Sequence, residues 1–229
     1  MLGSLEIFPA GGLLEKLRAG SSEIWEQYVG HKFVRGLGDG TLPEECFRYY
    51  LAQDYLFLIH FSRAYALSAY KSETLLELKQ SINACQAILE VEMGLHLEFC
   101  RGWGLSQAEM ENTEEQAATM AYTRYVLECG LSGDILDLHV ALSPCLLGYA
   151  EIGLALSNTQ VVGNPYQPWI DMYAGEEYQV VAANFAKFLE EIVCRRGGLD
   201  RLKSLTRIFT QAVRLEIAFW EQGLSLQKI

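Results

Sequence analysis

The sequence has few basic residues and few prolines, and it has no long uninterrupted apolar run. Its 18 Lys and Arg residues are outnumbered by 29 Asp and Glu, which gives a formal net charge of −11. Nucleic acid and anionic membrane surfaces repel so acidic a chain, so neither is expected as a partner. No apolar run approaches the roughly 20 residues that cross a bilayer, and the first residues show no secretory signal pattern. The expected location is the cytoplasm.

Several motifs that would assign a function are missing. The six cysteines never form a Cys-x-x-Cys pair, which argues against a disulfide framework or a zinc ribbon. The chain also lacks a Walker motif, a Gly-x-Gly-x-x-Gly loop and a Gly-x-Ser-x-Gly elbow, so nucleotide-binding and serine-hydrolase functions lose their usual support. The 229 residues, half of them hydrophobic, suffice for one sizeable core. We expect a single domain over residues 1–229, with a small molecule or another protein as its partner.

Apolar residues recur every three or four positions through most of the chain, and no alternating strand pattern stands out. This periodicity, together with only five prolines, predicts an all-α fold of about seven helices. The predicted helices cover about residues 12–30, 44–70, 73–101, 106–129, 134–157, 176–195 and 199–222. Gly36, Gly38 and Gly40 are predicted to form a loop that ends in a capping box of Thr41 and Glu44.

Asp54 is an acid within an aromatic stretch of the second predicted helix. On a helix it shares a face with Phe57, so its carboxylate can accept hydrogen bonds from a flat ligand while Phe57 covers the ring. The alternative is an ordinary solvated Asp on the outer face of the helix.

Cys145 follows Pro144 in a strongly apolar helical segment. Proline removes a backbone donor, which predicts a kink and a freed carbonyl beside the thiol. Tyr149 lies one turn further on the same face, where its phenol can hydrogen-bond near the sulfur. The alternative is an inert core cysteine, the usual state of a thiol in an apolar helix.

Glu216 is a lone acid among apolar and aromatic residues of the last predicted helix. If it is buried, desolvation raises its pKa and allows it to hold or shuttle a proton near neutral pH. The alternative is a surface Glu paired with Arg214 or Arg207. Tyr122 and Tyr173 alone indicate little beyond core packing with a polar tip.

Glu92 and His96 stand four residues apart, a spacing compatible with a metal site. Di-iron sites in helical bundles need several carboxylates and Glu-x-x-His pairs, and no Glu-x-x-His occurs in the sequence. A structural hydrogen bond is therefore the favoured interpretation of this pair.

Taken together and in this order, these features resemble the TenA family, also called thiaminase II. The resemblance spans about residues 20–222. It rests on Phe33-Val-Arg-Gly-Leu-Gly-Asp-Gly-Thr-Leu-Pro43, Tyr50-Leu-Ala-Gln-Asp54-Tyr, Phe61-Ser-Arg-Ala, Glu92-Met-Gly-Leu-His96, Ser143-Pro-Cys145, Tyr166-Gln-Pro-Trp169-Ile-Asp-Met-Tyr173 and Glu216-Ile-Ala-Phe-Trp220.

This resemblance implies a haem oxygenase-like helical fold without haem, usually assembled as a homotetramer, and a role in thiamin salvage. The implied reaction is hydrolysis of 4-amino-5-aminomethyl-2-methylpyrimidine to the hydroxymethylpyrimidine with release of ammonia, and hydrolysis of thiamin in members that are also thiaminases. No metal or organic cofactor is implied.

Residue by residue, the resemblance makes Cys145 the nucleophile, Asp54 the pyrimidine-binding acid and Glu216 the acid at the far end of the ring. The tyrosine positions of the family are matched by Tyr122, Tyr149 and Tyr173. Phe57 stands where related sequences can carry Tyr, which keeps a stacking surface but loses a hydroxyl.

Two functions of other classes compete with this hypothesis. One is a metal-dependent oxidase of the same fold, in which Glu92 and His96 would help to hold iron. The other is a pyrimidine-binding or regulatory protein without catalytic activity, which would bind tightly without turnover.

Overall fold

The computed structural model describes residues 7–159 and 161–226, and within those ranges all regular structure is helical. The all-α prediction is therefore confirmed. The α-helices are α1 (Leu13–Ala19), α2 (Ser22–Val29), α3 (Lys32–Asp39), α4 (Glu44–Lys71), α5 (Leu75–Ala87), α6 (Met93–Gly102), α7 (Gln107–Glu111), α8 (Ala117–Ser132), α9 (Ile135–Ser157), α10 (Gln167–Ala174), α11 (Glu176–Arg195) and α12 (Leu202–Ser225). A π-helical turn (Ile88–Glu92) joins α5 to α6, and a 3₁₀ turn (Gly198–Arg201) precedes α12.

The chain forms two compact units, each built from two separate stretches of sequence. Unit 1 contains the described residues of Met1–Leu42 and His139–Ile217, and unit 2 contains those of Pro43–Leu138 and Ala218–Ile229. The single-domain organisation expected from the sequence stays a prediction.

In unit 1, the long helix α9 approaches two neighbouring segments closely at glycines. A β-carbon on Gly148 would overlap the aromatic ring of Tyr28, and one on Gly153 would overlap the backbone of Tyr173. These contacts require the absence of a side chain, because interiors packed at crystal-like density have no room for an added methyl group. The N-terminus of α1 is held by Glu190, whose carboxylate accepts from the backbone N–H groups of Leu13 and Leu14 at 2.9 and 3.0 Å.

In unit 2, helices α5, α6 and α8 pack on α4. The first N–H groups of α8 are satisfied by glutamine side chains from other helices. Gln53 Oε1 accepts from the backbone N–H of Gln116 at 3.0 Å and from the Thr119 hydroxyl at 2.7 Å. Gln222 Oε1 accepts from the backbone N–H of Ala118 at 3.2 Å, and its Nε2 donates to the Thr119 hydroxyl at 2.7 Å.

Several predicted helices prove to be interrupted, so the described chain has more helices than the seven expected. The predicted helix over 12–30 is divided into α1 and α2 at Gly20 and Ser21. The predicted helix over 106–129 is divided into α7 and α8 by the segment 112–116. The predicted helix over 73–101 continues throughout, but with the π-helical turn at its centre.

The prediction of a loop at Gly36, Gly38 and Gly40 is wrong for two of these three glycines. Gly36 and Gly38 lie inside α3, where their lack of a side chain admits Leu42 and Leu156 respectively. Gly40 alone of the three has a positive φ, 76°, and it ends α3 in the left-handed conformation that favours glycine.

The predicted capping box of Thr41 and Glu44 is also wrong. Pro43 occupies the N-cap of α4 without a side-chain cap. The Thr41 hydroxyl instead donates to Asp39 at 2.6 Å, because this carboxylate is a charged acceptor only two residues away. Capping boxes occur at Thr74 with Glu77 and at Ser106 with Glu109.

Helix α9 is, within the described residues, the one helix long and apolar enough to cross a membrane by length and composition. The expectation that no segment reaches this length was therefore wrong. Of its most apolar stretch, 67% is buried inside the protein, as in the core helix of a globular protein.

Candidate active site

Cys145 lies on α9 as a half-buried thiol that forms no disulfide. The helix continues through Pro144, which cannot donate to the Val140 carbonyl four residues earlier. The Ser143 hydroxyl donates to that carbonyl at 2.8 Å. The expectation of a free carbonyl beside the thiol is therefore wrong, because the residue before the proline satisfies it. The Pro144 carbonyl in turn accepts from the hydroxyl of Tyr28 at 3.3 Å.

Two of the predicted tyrosines meet one turn beyond Cys145. The rings of Tyr149 and Tyr173 pack edge to face with centroids 4.9 Å apart. Trp169 and Tyr178 lie against Tyr173 at 4.5 and 4.8 Å, which completes an aromatic cluster. The Trp169 side chain is buried, and no described residue accepts a hydrogen bond from its indole N–H.

Gln179 supports this cluster from α11. Its Nε2 donates to the backbone carbonyl of Tyr173 at 2.7 Å and to that of Ala150 at 3.0 Å. Because the glutamine itself is buried, these bonds fix the end of α10 against α9.

Glu216 lies on α12 with only 1% of its surface exposed. This contradicts the alternative of a surface Glu and confirms the interpretation as a buried acid. Arg207 and Arg214, the bases considered as its partners, are exposed. Cys145, Tyr149, Tyr173 and Glu216 all belong to unit 1.

Asp54, Phe57 and Tyr122 belong to unit 2. Asp54 is 7% exposed, so the alternative of a solvated surface Asp is wrong. The Phe57 ring is buried and lies 5.1 Å from that of Tyr122 and 5.6 Å from that of Phe61, centroid to centroid. Acid and aromatic ring thus share the buried side of α4, as the helical spacing predicts.

The Asp54 carboxyl is surrounded by titratable groups. The Tyr50 hydroxyl lies 3.5 Å from its Oδ2 atom, and Nδ1 of His96 lies 3.5 Å from the same oxygen. Burial, followed by the charge of the neighbouring Glu92, raises the pKa of Asp54 to about 8, while the Tyr50 hydrogen bond acts in the opposite direction. Asp54 is therefore held largely in its neutral form at neutral pH.

His96 makes a structural hydrogen bond, as expected, but with Leu51 rather than with Glu92. Its Nε2 lies 2.9 Å from the Leu51 carbonyl oxygen. Burial lowers the pKa of His96 to about 4, and the bond to Leu51 opposes that shift. Burial also raises the pKa of Glu92, at the end of the π-helical turn, to about 7. Within the described ranges, no group of three or more His, Cys, Asp and Glu side chains is placed to hold a metal ion.

Sequence reasoning missed several residues that position this machinery. His96 lies beside Asp54, and Gln53 caps α8. The Ser143 hydroxyl donates to the carbonyl that Pro144 leaves without its backbone donor, and Trp169 packs beside Tyr173. Gln53 lies directly beside Asp54, and Ser143 lies two residues before Cys145, each within a recognised segment. That adjacency was the signal available in the sequence.

The helical architecture of the described residues matches the haem oxygenase-like fold. A domain of unknown function from Shewanella denitrificans, described as having that fold, superposes with a TM-score of 0.73 at 14% identity, covering 93% of this chain and 92% of the other. Within that class, the chain belongs to the TENA/THI-4/PQQC family, whose model matches residues 19–226.

Two relatives bring the comparison closer. The aminopyrimidine aminohydrolase of Halalkalibacterium halodurans is 36% identical over 216 residues, covering 93% of this chain and 94% of the relative. A crystal structure of a protein described as a TenA family transcription regulator, from Silicibacter sp. TM1040, has a TM-score of 0.90 at 43% identity and covers 95% of this chain and 98% of its own.

Proposed function

We propose that this chain is an aminopyrimidine aminohydrolase of the thiaminase II type. Its proposed substrate is 4-amino-5-aminomethyl-2-methylpyrimidine, which it hydrolyses to the hydroxymethylpyrimidine and ammonia in thiamin salvage. The observation that carries this proposal is the similarity, over nearly the whole of both chains, to the aminohydrolase of H. halodurans. Thiamin is the second substrate to test, since it carries the same pyrimidine.

The proposed roles follow the chemistry of the side chains. Asp54 accepts a hydrogen bond from the exocyclic amine while Phe57 stacks on the ring. Glu216 protonates or hydrogen-bonds a ring nitrogen, which makes the ring electrophilic, and its burial supports this role because a site shielded from water strengthens hydrogen bonds to a ligand. Cys145 is the nucleophile.

The tyrosines are proposed to position the reacting groups. Tyr149 and Tyr122 orient the thiol and the attacking water, and Tyr173 closes over the ligand. The packing of Tyr173 against Tyr149 supports a shared task, since the position of each ring limits that of the other.

The reaction is proposed to proceed by addition and elimination. The Cys145 thiolate forms a bond to a ring carbon, and the electron pair displaced into the ring then expels the aminomethyl nitrogen, which leaves as ammonia after protonation. Water adds to the exposed methylene and loses a proton. Expulsion of the thiolate restores the aromatic ring, so the net change is replacement of an amine by a hydroxyl. The proposed reaction steps use neither a metal ion nor an organic cofactor.

We further propose a homotetramer that acts in the cytoplasm. None of the six cysteines forms a disulfide, which is the state maintained in a reducing compartment. Leu75, Ile82 and Leu89 lie seven residues apart along α5 and the π-helical turn, and their side chains are 66%, 48% and 53% exposed. A row of exposed apolar side chains at this spacing favours burial against a second copy.

The proposed function is tested by following ammonia release from the aminopyrimidine in Cys145→Ala and in the matched control Cys194→Ala. Cys194 is an exposed thiol in the same unit, on α11. We expect loss of turnover in Cys145→Ala, unchanged turnover in Cys194→Ala, and native helical content by circular dichroism in both. Turnover at the wild-type rate in Cys145→Ala would rule out the nucleophile.

A pyrimidine-binding regulator is the second candidate, because the Silicibacter relative is described as a transcription regulator. The net charge of −11 argues against direct contact with nucleic acid in this chain. Calorimetric binding of the aminopyrimidine without any ammonia release from the wild-type protein would favour this candidate over the enzyme.

A further inference from the structure

The imidazole of His96 lies between two groups of α4 with different hydrogen-bonding capacities. Its Nε2 is 2.9 Å from the Leu51 carbonyl oxygen, and its Nδ1 is 3.5 Å from Asp54 Oδ2. A carbonyl oxygen can only accept, so Nε2 must carry a hydrogen and donate it to Leu51. This bond fixes both the ring orientation and the tautomer of His96.

Nδ1 and Asp54 Oδ2 lie at the outer limit of hydrogen-bond distance, and one hydrogen between them relieves the repulsion of two facing lone pairs. Either the carboxyl group of Asp54 donates to a neutral imidazole, or an imidazolium donates to a carboxylate. In both arrangements the pair shares one proton, and only its position differs.

The surroundings favour the neutral arrangement. The titratable groups that act on Asp54 are Tyr50 on its own helix, Glu92 on the π-helical turn, and His96 and Cys100 on α6. Glu92 contributes negative charge, and burial disfavours a charge on either member of the pair, which raises the pKa of Asp54 and lowers that of His96. The proton therefore remains on the carboxyl group.

Both contacts of Asp54 fall on one oxygen. The Tyr50 hydroxyl and His96 Nδ1 each lie 3.5 Å from Oδ2. None of the described residues forms a hydrogen bond with Oδ1. An acid that donates through one oxygen keeps its other oxygen as a carbonyl-type acceptor.

We propose that His96 is a positioning residue, which accepts a hydrogen bond from the Asp54 carboxyl group and thereby leaves Oδ1 to accept a hydrogen bond from the exocyclic amine of an aminopyrimidine. This inference rests on the proposed function. His96 does not touch the ligand itself but determines which Asp54 oxygen carries the hydrogen. A ligand that offers only acceptors at this position is rejected, because the one hydrogen of the neutral acid is already engaged in the hydrogen bond to His96.

The tautomer is tested directly by nitrogen NMR of wild-type protein labelled with ¹⁵N-histidine, with the His96 signals assigned by their loss in His96→Gln. At neutral pH we expect a neutral ring with hydrogen on Nε2 and none on Nδ1. A ring protonated at both nitrogens, or on Nδ1 alone, would overturn the proposal. This measurement does not depend on catalysis, so it decides the proton position even if the proposed function fails.

The role in binding is tested with two substitutions of His96. In His96→Gln the amide can still donate to Leu51 and accept from Asp54, whereas in His96→Leu it can do neither. We expect KM for the aminopyrimidine to stay within about threefold in His96→Gln and to rise about tenfold or more in His96→Leu, with a smaller change in kcat. His60→Gln, a substitution elsewhere on α4, is the control and should leave KM unchanged.

The pH dependence separates this role from a merely structural one. The rise in KM in His96→Leu should shrink as pH passes above the pKa of Asp54, because an ionised carboxylate accepts through both oxygens and has no hydrogen for His96 to direct. A merely structural loss would persist at every pH. Folded His96→Leu protein with wild-type KM and pH profile would refute the proposal. A wild-type protein that neither binds nor hydrolyses the aminopyrimidine would instead refute the proposed function.

Discussion

The ring of Tyr28 packs directly against Gly148, and the hydroxyl of the same tyrosine donates to the carbonyl of Pro144 at 3.3 Å. One side chain of α2 thus contacts α9 at two points, just before and just after Cys145. The position of the thiol therefore depends on a residue far away in the sequence. A glycine at 148 is needed because no other residue leaves room for the ring.

Gly148→Ala should destabilise the protein by about 1–3 kcal/mol, because the new methyl group overlaps the Tyr28 ring and a packed interior cannot expand freely. The measurement is urea unfolding. The control is Gly94→Ala on α6, where a β-carbon meets nothing within 4 Å and the better helix propensity should raise stability by up to about 1 kcal/mol. If overlap is the cause, the cost must shrink in a Tyr28→Leu background.

Gln222→Ala should cost about 1–3 kcal/mol, because it removes the acceptor for the Ala118 N–H and the donor to the buried Thr119 hydroxyl. The matched control is Gln86→Ala on α5, whose exposed amide bonds only with Glu90 and whose loss should stay within about 0.5 kcal/mol. Equal effects of the two substitutions on the denaturation midpoint would contradict a capping role for Gln222.

Asp54→Asn should stabilise the protein more as pH rises. In the wild type, Asp54 ionises near 3.8 when unfolded and near 8 when folded, so rising pH favours the unfolded state and lowers stability throughout that window. Asn does not titrate and escapes this loss. His96 has the opposite dependence, because its pKa falls from 6.5 to about 4 on folding, so the comparison is cleanest between about pH 6.5 and about pH 8.

The measurement for Asp54→Asn is the free energy of unfolding of both proteins at the two ends of that range. The difference between them should grow in favour of Asn toward the alkaline end. Parallel curves for the two proteins would show that Asp54 ionises in the folded protein at its ordinary pKa.

The oligomer should dissociate when charge is placed in the row of exposed apolar residues on α5 and the π-helical turn. We expect wild-type protein to sediment at four times the 25.8 kDa of one chain, and Ile82→Glu with Leu89→Glu to sediment as a smaller species. Val162→Glu, at a fully exposed apolar residue outside the row, should leave the mass unchanged. A wild-type monomer would contradict the proposed tetramer.

The sequence predicts the helical class, and it offers burial as one of two interpretations of each acid, because apolar periodicity reports which face of a helix is covered. Asp54 and Glu216 interrupt apolar faces, and both are buried. What periodicity cannot report is how a helix is divided, because breaks arise from local competition. The sequence predicts a loop at Gly36 and Gly38, but both lie within α3 and admit close contacts from outside that helix.

The sequence also does not predict hydrogen-bond partners that come from other segments of the chain. His96 was paired with Glu92 by spacing along one helix, yet its partners lie on α4. Thr41 was given a cap at Glu44 because the motif fits, but Asp39 competes for its hydroxyl. Such choices are decided by tertiary packing and by the nearest charge, which spacing does not encode.

Gln53 and Asp54 are adjacent in the chain but serve different ends, since successive helical residues point about 100° apart. Gln53 turns toward the start of α8 and holds it, whereas Asp54 turns toward His96. A homologue could therefore exchange the acid and lose its chemistry while keeping the glutamine for the sake of folding. In a search for related sequences, a residue matching Gln53 therefore indicates only that the fold is retained. The residue at position 54 should decide whether the proposed activity is assigned.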